Sequence, residues 1–299
     1  MNEILIVGTG ALATLFAARL RQARHQITML GSWNEGIAAL REHGAGLVDA
    51  NGIEARFKVN ATNDPRTCAG AQHVIVLVKA WQTERVAKQL KECLADDGIA
   101  LTLQNGLGNH ETLTHHLGLG RVALGSTTTG ATLLGPGLVR AGGEGVISLE
   151  RNPKLAHLQE ALTSAKFNVK VVDDPQSLIW GKLVINAAIN PLTALLRVPN
   201  GELLNRPSAR EIMGRLACEA AQVARAENIA LPFDAPIAAA EEVACKTAAN
   251  RSSMLQDVER GTPTEIDAIC GAVVEIGKKH SIETPVNWAC WQLVRALHS

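Results

Sequence analysis

The stretch EILIVGTGALATLFAARL, residues 3–20, constrains this chain more than any other. Four apolar residues, Ile4 to Val7, predict a short buried strand, and the run rich in Ala and Leu from residue 11 predicts a helix. Gly8-Thr9-Gly10 stands between them. Strand, glycine turn and helix in that order open a parallel α/β sheet, and the GxGxxA spacing is that of a dinucleotide-binding turn. Gly8 permits the tight turn, Gly10 lets the backbone approach a pyrophosphate, and Ala13 keeps the helix close to the sheet. The helix N-terminus, at Ala11 and Leu12, then faces the phosphate charge. The turn therefore predicts a bound dinucleotide, with Gly8, Thr9, Gly10, Ala11, Leu12 and Ala13 as its contacts.

The second strand, QITML at 26–30, leads into Gly31-Ser32-Trp33-Asn34. A site for NAD carries an acidic side chain here to hold the adenosine ribose, and these four residues supply none. Ser32 and Asn34 can instead donate hydrogen bonds to a 2′-phosphate, which points to NADP, although no arginine stands in the turn. After less regular material at 45–62 the strand–helix rhythm returns. A strand ending at Val78 is followed by Lys79 and a helix from about residue 82. Another at 99–103 ends in Gln104-Asn105-Gly106 before a helix. Ligands of parallel sheets sit beyond the carboxyl ends of the strands, which places Lys79 and Asn105 near the cofactor. Their plainer readings are a solvated lysine at a helix start and an Asn-Gly turn. Short strands separated by glycine turns follow, so the second half of the sheet is expected to be partly antiparallel.

From about residue 175 the pattern is helical, with helices expected at 177–196, 208–227, 236–256, 263–279 and 285 to the end. The domain division is 1–172 and 173–299, jointed at Asp173-Asp174-Pro175. The fold class is α/β: a Rossmann-like dinucleotide-binding domain followed by an all-helical domain. In the first of these helices, WGKLVINAAINPLTAL at 180–195, Lys182, Asn186 and Asn190 recur at steps of four and rise along one side. Most of the helix is apolar and should be buried, so polar groups there are costly unless something satisfies them. Two readings remain open. The stripe lines a ligand site, or it is a structural Lys–Glu pair with asparagines meeting backbone that Pro191 disturbs.

Lysine plus arginine and aspartate plus glutamate both total 29, a balance without the basic footprint of a nucleic-acid or anionic-membrane protein. The six cysteines are scattered and read as reduced thiols of a cytoplasmic protein. No HExxH or clustered His/Cys pattern predicts a metal site. Two asparagines and Pro191 interrupt the apolar stretch at 183–198, which reads as a buried helix and not a membrane span. The absence of tyrosine excludes a Tyr-Lys proton-donor pair.

The motifs GTGALA at 8–13, VKAWQ at 78–82, QNGLG at 104–108 and GSTTTGA at 125–131 are landmarks of one family. The stripe helix with its extension RVPNGEL, and NRSSMLQDVERGTPTEID at 250–267, are more particular still. Together they resemble the 2-dehydropantoate 2-reductase, or ketopantoate reductase, family over essentially the whole chain. The resemblance implies a Rossmann-like domain followed by a helical domain, in a 6-phosphogluconate-dehydrogenase-like arrangement with the active site in the cleft between them. It also implies NADPH-dependent reduction of ketopantoate to pantoate, on the route to pantothenate and coenzyme A. By the same resemblance Lys182 is the catalytic lysine, Glu265 the conserved glutamate, and Asn186, Asn190, Asn250 and Ser253 the substrate contacts. Lys79 and Asn105 fall on its cofactor-side lysine and asparagine. Ser32 stands where many members carry an arginine that clamps the 2′-phosphate. Alternatives are an NAD(P)H-dependent reductase of another small 2-oxo acid and, more remotely, a non-catalytic NADP(H)-binding protein. A helical second domain suits a monomer or a homodimer alike.

Overall fold

The computed structural model describes residues 3–49, 51–143 and 145–297. The chain divides into two compact units, Met1–Gln104 with Asn109–Pro175, and Asn105–Gly108 with Gln176–Ser299. The first is built on β1 (Ile4–Val7), α1 (Ala11–Gln22), β2 (Ile27–Leu30), α2 (Asn34–His43), β3 (Ala45–Val48), β4 (Glu54–Phe57) and β5 (Asn60–Thr62). It continues through β6 (Ala71–Val76), α3 (Thr83–Cys93), β7 (Leu94–Thr102), α4 (Asn109–Leu117), β8 (Val122–Thr127), β9 (Ala131–Gly135) and β10 (Leu138–Ala141). It closes with β11 (Val146–Glu150), α5 (Ala156–Ser164) and β12 (Asn168–Val172).

Eight strands form the main sheet in the order β12-β11-β8-β7-β6-β1-β2-β5. Neighbours run parallel except β8 and β11, which are antiparallel. Strands joined through crossover helices must run parallel, whereas the chain reaches β11 by way of the β9–β10 hairpin and enters the sheet reversed. The strands are continuous apolar runs because both faces are covered. Ile4, Ile6 and Met29 pack with Phe16 and Leu20 of α1 and Leu158 of α5, while Leu5, Val7 and Val76 pack with Val86 and Leu90 of α3 and Leu113 of α4.

The material at 45–62 is more regular than its sequence suggests. β3 and β4 join β9 and β10 in a separate four-stranded sheet, ordered β4-β3-β10-β9, while β5 extends the main one. These strands are only three or four residues long, too short for a pattern to mark each one, although Glu54-Ala55-Arg56-Phe57 alternates polar and apolar residues.

The helical unit begins with α6 (Pro175–Leu196) and continues through α7 (Glu202–Asn205), α8 (Pro207–Ala226), α9 (Pro236–Lys246) and α10 (Ser253–Glu259). A π-helical turn, Asp267–Gly271, leads into α11 (Ala272–Lys279), and α12 (Pro285–Ala296) follows. The helix expected at 236–256 is two helices. The polar run TAANRS interrupts it, and Ser252 caps the start of α10 by accepting a hydrogen bond from Leu255 N at 3.0 Å.

α6 is long and apolar enough to cross a membrane by length and composition, but it is the core helix of this unit, with Leu183, Val184, Ala187 and Ala188 packed against Met213, Ala217 and Val273. It runs through Pro191 without a break. Proline lacks the N–H that would bond Ala187 O, and its ring crowds that carbonyl. The buried Cys270 thiol donates toward this oxygen at 4.0 Å. A thiol is a weak donor, so the contact eases the loss of the helical bond and does not replace it.

Candidate active site

In the dinucleotide turn, Gly8 has φ +131°, a conformation that favours glycine. A Cβ on Gly8 would also stand 3.1 Å from Leu77 O and 3.3 Å from Ala13 Cβ, so the small residue at 13 and the bare one at 8 serve the same close approach. Gly10 differs, because a Cβ there would meet no protein atom within 4 Å. The protein's own packing therefore does not require a bare residue at this position. α1 starts at Ala11 with neither a side-chain cap nor an acidic residue in its first turn, leaving its N-terminal field directed at a ligand phosphate. Ala11 and Leu12 are half-buried. Thr9 is buried against Gly31, where a Cβ would come within 2.6 Å of its methyl group. These residues fit the pyrophosphate of a nicotinamide dinucleotide.

Ser32 and Asn34 are exposed after β2. Sequence inspection overlooked their neighbours: Trp33 donates from Nε1 to Glu35 Oε2 at 3.1 Å, and its ring occupies the space that a side chain at Gly36 would need. Beyond β6, Lys79 is half-buried and starts a 3-10 turn over Ala80–Gln82. A polar network missed at the sequence level holds this corner. Gln104 donates from Nε2 to Val78 O at 3.1 Å and to Thr83 Oγ1 at 2.8 Å, while Thr102 donates to Gln104 Oε1 at 3.0 Å. Thr83 passes its own proton to Asn109 Oδ1 at 2.7 Å. Each hydroxyl and amide has one role that uses its chemistry, so the network is satisfied where it is buried. The signal was present in Gln104 and Asn109 of QNGLGN and Thr83 of VKAWQT, polar residues at the ends of adjacent strands.

In the helical unit α6 carries the stripe. Lys182 and Asn186 are half-buried, and Asn190 is buried. Burial pushes the Lys182 ammonium down to about 8, and the Glu265 carboxylate acts in the opposite sense, favouring the charged form. Glu265 is 5% exposed. Asn105, in the loop that clusters with the helices, donates from Nδ2 to Glu265 Oε2 at 3.1 Å, and Leu107 N donates to Ala268 O at 3.0 Å beside it. Gly106, between them, has φ +79°, and a Cβ there would lie 2.5 Å from Ala268 O. The loop can approach the π-helical turn this closely only through glycine. Asn105 thus holds the glutamate.

Asn250 and Ser253 are exposed at the start of α10, whereas Ser252 is buried. Asn250 O accepts from Asn200 N at 3.0 Å, and Ala248 O accepts from Gly201 N at 3.1 Å. Asn200 donates from Nδ2 to Thr247 Oγ1 at 2.8 Å. The motifs RVPNGEL and NRSSMLQD, about fifty residues apart in sequence, are therefore two sides of one loop packing. Among the described residues no cluster of His, Cys, Asp and Glu has the arrangement of a metal site.

A doubly covered, mostly parallel sheet whose first turn fits a dinucleotide pyrophosphate, together with a helical unit that buries a lysine within the influence of a carboxylate, defines a nicotinamide-dependent oxidoreductase. Residues 4–154 match the family described as ketopantoate reductase PanE/ApbA, and residues 174–298 match its C-terminal counterpart. The chain belongs to the ketopantoate reductase family. It is 37% identical to the 2-dehydropantoate 2-reductase of Archaeoglobus fulgidus, over 100% of this chain and 99% of that one. Among solved structures it resembles a PanE/ApbA family ketopantoate reductase from Ralstonia eutropha, with a TM-score of 0.90 and 30% identity over 99% and 98% of the two chains. It also resembles D-mandelate dehydrogenase in a ternary structure with NADH and anilino(oxo)acetate, with a TM-score of 0.92 and 28% identity over the same shares.

Proposed function

We propose that this chain reduces the ketone of 2-dehydropantoate to pantoate in the cytoplasm, with NADPH as its preferred cofactor. The pairing of Lys182 with the buried Glu265, itself held by Asn105, carries the reading. When bound, the nicotinamide supplies the hydride. Negative charge then develops on the carbonyl oxygen, and a positioned ammonium both stabilises that charge and supplies the proton. A lysine at about 8 suits this task, because it is charged near neutral pH yet gives up its proton far more readily than an exposed lysine. Glu265 keeps the ammonium charged, and Asn105 fixes the carboxylate. Asn186, Asn190, Asn250 and Ser253 offer amide and hydroxyl groups for the carboxylate and hydroxyl of a small 2-oxo acid. Ser32 and Asn34 offer donors to the 2′-phosphate, and Lys79 a nearby positive charge.

A second reading, a reductase of another 2-oxo acid that uses NADH, draws on the likeness to D-mandelate dehydrogenase and on a serine in the arginine's place at residue 32. One experiment separates the two: loss of reduced-nicotinamide absorbance with NADPH and with NADH, each against ketopantoate, ketoisovalerate and an aryl 2-oxo acid. Rapid NADPH oxidation with ketopantoate and little with ketoisovalerate is the expected result, since a site that pairs a substrate hydroxyl discriminates strongly against an analogue lacking it. Turnover of the aryl acid with NADH, and none of ketopantoate, overturns the first reading in favour of the second.

A further inference from the structure

Serine at a helix N-cap needs only to accept a hydrogen bond, and Asp, Asn or Thr serves as well. Ser252 does more. Its Oγ accepts from Leu255 N at 3.0 Å and lies 2.7 Å from Thr193 Oγ1 on α6, where Thr193 is fully buried and Ser252 nearly so. Thr193 donates its own proton to Asn190 O at 2.9 Å. A hydroxyl has one proton, so the contact between the two oxygens is completed by Ser252 donating to Thr193. The direction is thereby settled along the whole line: Leu255 N–H to Ser252, Ser252 O–H to Thr193, Thr193 O–H to the backbone of Asn190.

We propose that Ser252 and Thr193 are positioning residues of the substrate site: their relay of two hydroxyls fastens the start of α10 to α6 and holds Asn250 and Ser253 in register with Asn190. The proposal rests on the reading above of Asn190, Asn250 and Ser253 as partners of the 2-oxo acid. Neither hydroxyl touches substrate, since both are enclosed and spent on each other and on backbone. The segment 247–252 is tied at its other end by backbone bonds, from Asn200 N to Asn250 O and from Gly201 N to Ala248 O. Removing one hydroxyl therefore loosens one end of the segment while the other anchor keeps it in place. The dinucleotide turn belongs to the other compact unit, so the relay acts on the 2-oxo acid and not on the cofactor.

The test uses the full chain with Thr193→Val, which keeps the shape and removes the hydroxyl, Ser252→Ala, the double variant, and Thr193→Ser as the rescue. Thr193→Val and Ser252→Ala are each expected to raise KM for ketopantoate about tenfold, because a loosened segment displaces Asn250 and Ser253 from the 2-oxo acid. Their kcat and their Kd for NADPH are expected to stay within about twofold of wild type, the signature of lost ground-state positioning. The double variant is expected to lose less than the sum of the two single ones, because both remove the same link, and Thr193→Ser to retain a near-normal KM. Unchanged KM in both single variants overturns the proposal, as does additive loss in the double variant or a parallel fall in cofactor affinity. Amide exchange at Leu255 supplies a readout independent of turnover. If wild-type protein fails to reduce ketopantoate, the functional reading falls, and exchange still decides the relay. Faster exchange in Thr193→Val than in Thr193→Ser supports it, and equal exchange overturns it.

Discussion

Lys182 is costly to the fold, because burial disfavours its charged form. A lysine at about 8 in place of 10.5 is charged at neutral pH only against the cost of burial. If its ammonium is the proton donor, ketone reduction should be constant below about 8 and fall as pH rises through that value, because the donor is then deprotonated. Oxidation of the product alcohol should show the mirror profile. Glu265→Gln removes the charge that favours protonation, so the falling limb should move to lower pH in rate profiles of that variant. Lys182→Ala should lower kcat by at least ~100-fold, the low end for general acid catalysis, and near-normal turnover in a purified, folded sample would sink the role. The stripe of Lys182, Asn186 and Asn190 could be read from spacing alone. Its carboxylate partner, more than eighty residues away, came only from resemblance, because nothing in local sequence brings Glu265 to α6. That Asn105 would hold this glutamate was not readable from the sequence, since Asn-Gly after a strand looks like an ordinary turn.

Among the elements, the turn after β1 and the loop after β7 make opposite demands on glycine. Gly10→Ala should fold with unchanged thermal stability, since its added carbon meets nothing, yet weaken dinucleotide binding at least about tenfold by obstructing the pyrophosphate. Isothermal titration with NADPH reads the second effect and thermal melting the first. Gly106→Ala should do the reverse, lowering stability by about 1–3 kcal/mol through a left-handed backbone and a collision with Ala268. At the other end of the sheet, His73 and His157 stack at 4.4 Å, with His25 edge-on to His157 at 6.5 Å. Burial and the His157 charge lower the values of His25 and His73 below 6.5, while Glu160 and Asp97 act in the opposite direction. Below that value the unfolded chain takes up protons that the folded one resists, so stability is lost as pH falls below 6.5. Denaturant midpoints should fall over that range, and less so in His157→Gln. Strands with long apolar runs were evident in the sequence. β3 and β4 were not, being only four residues each, and the break between α9 and α10 was hidden because Ser252 reads equally well as helix interior or cap.

For the molecule as a whole, the expected joint is Asp173-Asp174-Pro175, the compact units part after Pro175, and one of them reaches back for four residues. Composition called the six thiols reduced, and none is paired in the structure. Cys68, Cys93, Cys270 and Cys290 are buried, Cys218 is half-buried and Cys245 exposed. Reaction with a bulky thiol reagent should therefore modify Cys245 first, and the buried four only on denaturation. The reach-back of Asn105–Gly108 has a consequence for how the protein is made. Synthesis runs from the N-terminus, and Asn105 precedes its partner Glu265 by 160 residues. At about 5–20 residues per second, that interval lasts roughly 8–32 s. During it β8, β11 and β12 complete the main sheet and α6 to α10 follow, while the glutamate and the π-helical turn that the loop bonds are not yet made. A nascent polypeptide thus acquires its glycine turn early and the Glu265 carboxylate late. A product terminated before residue 265 would carry the first without the second.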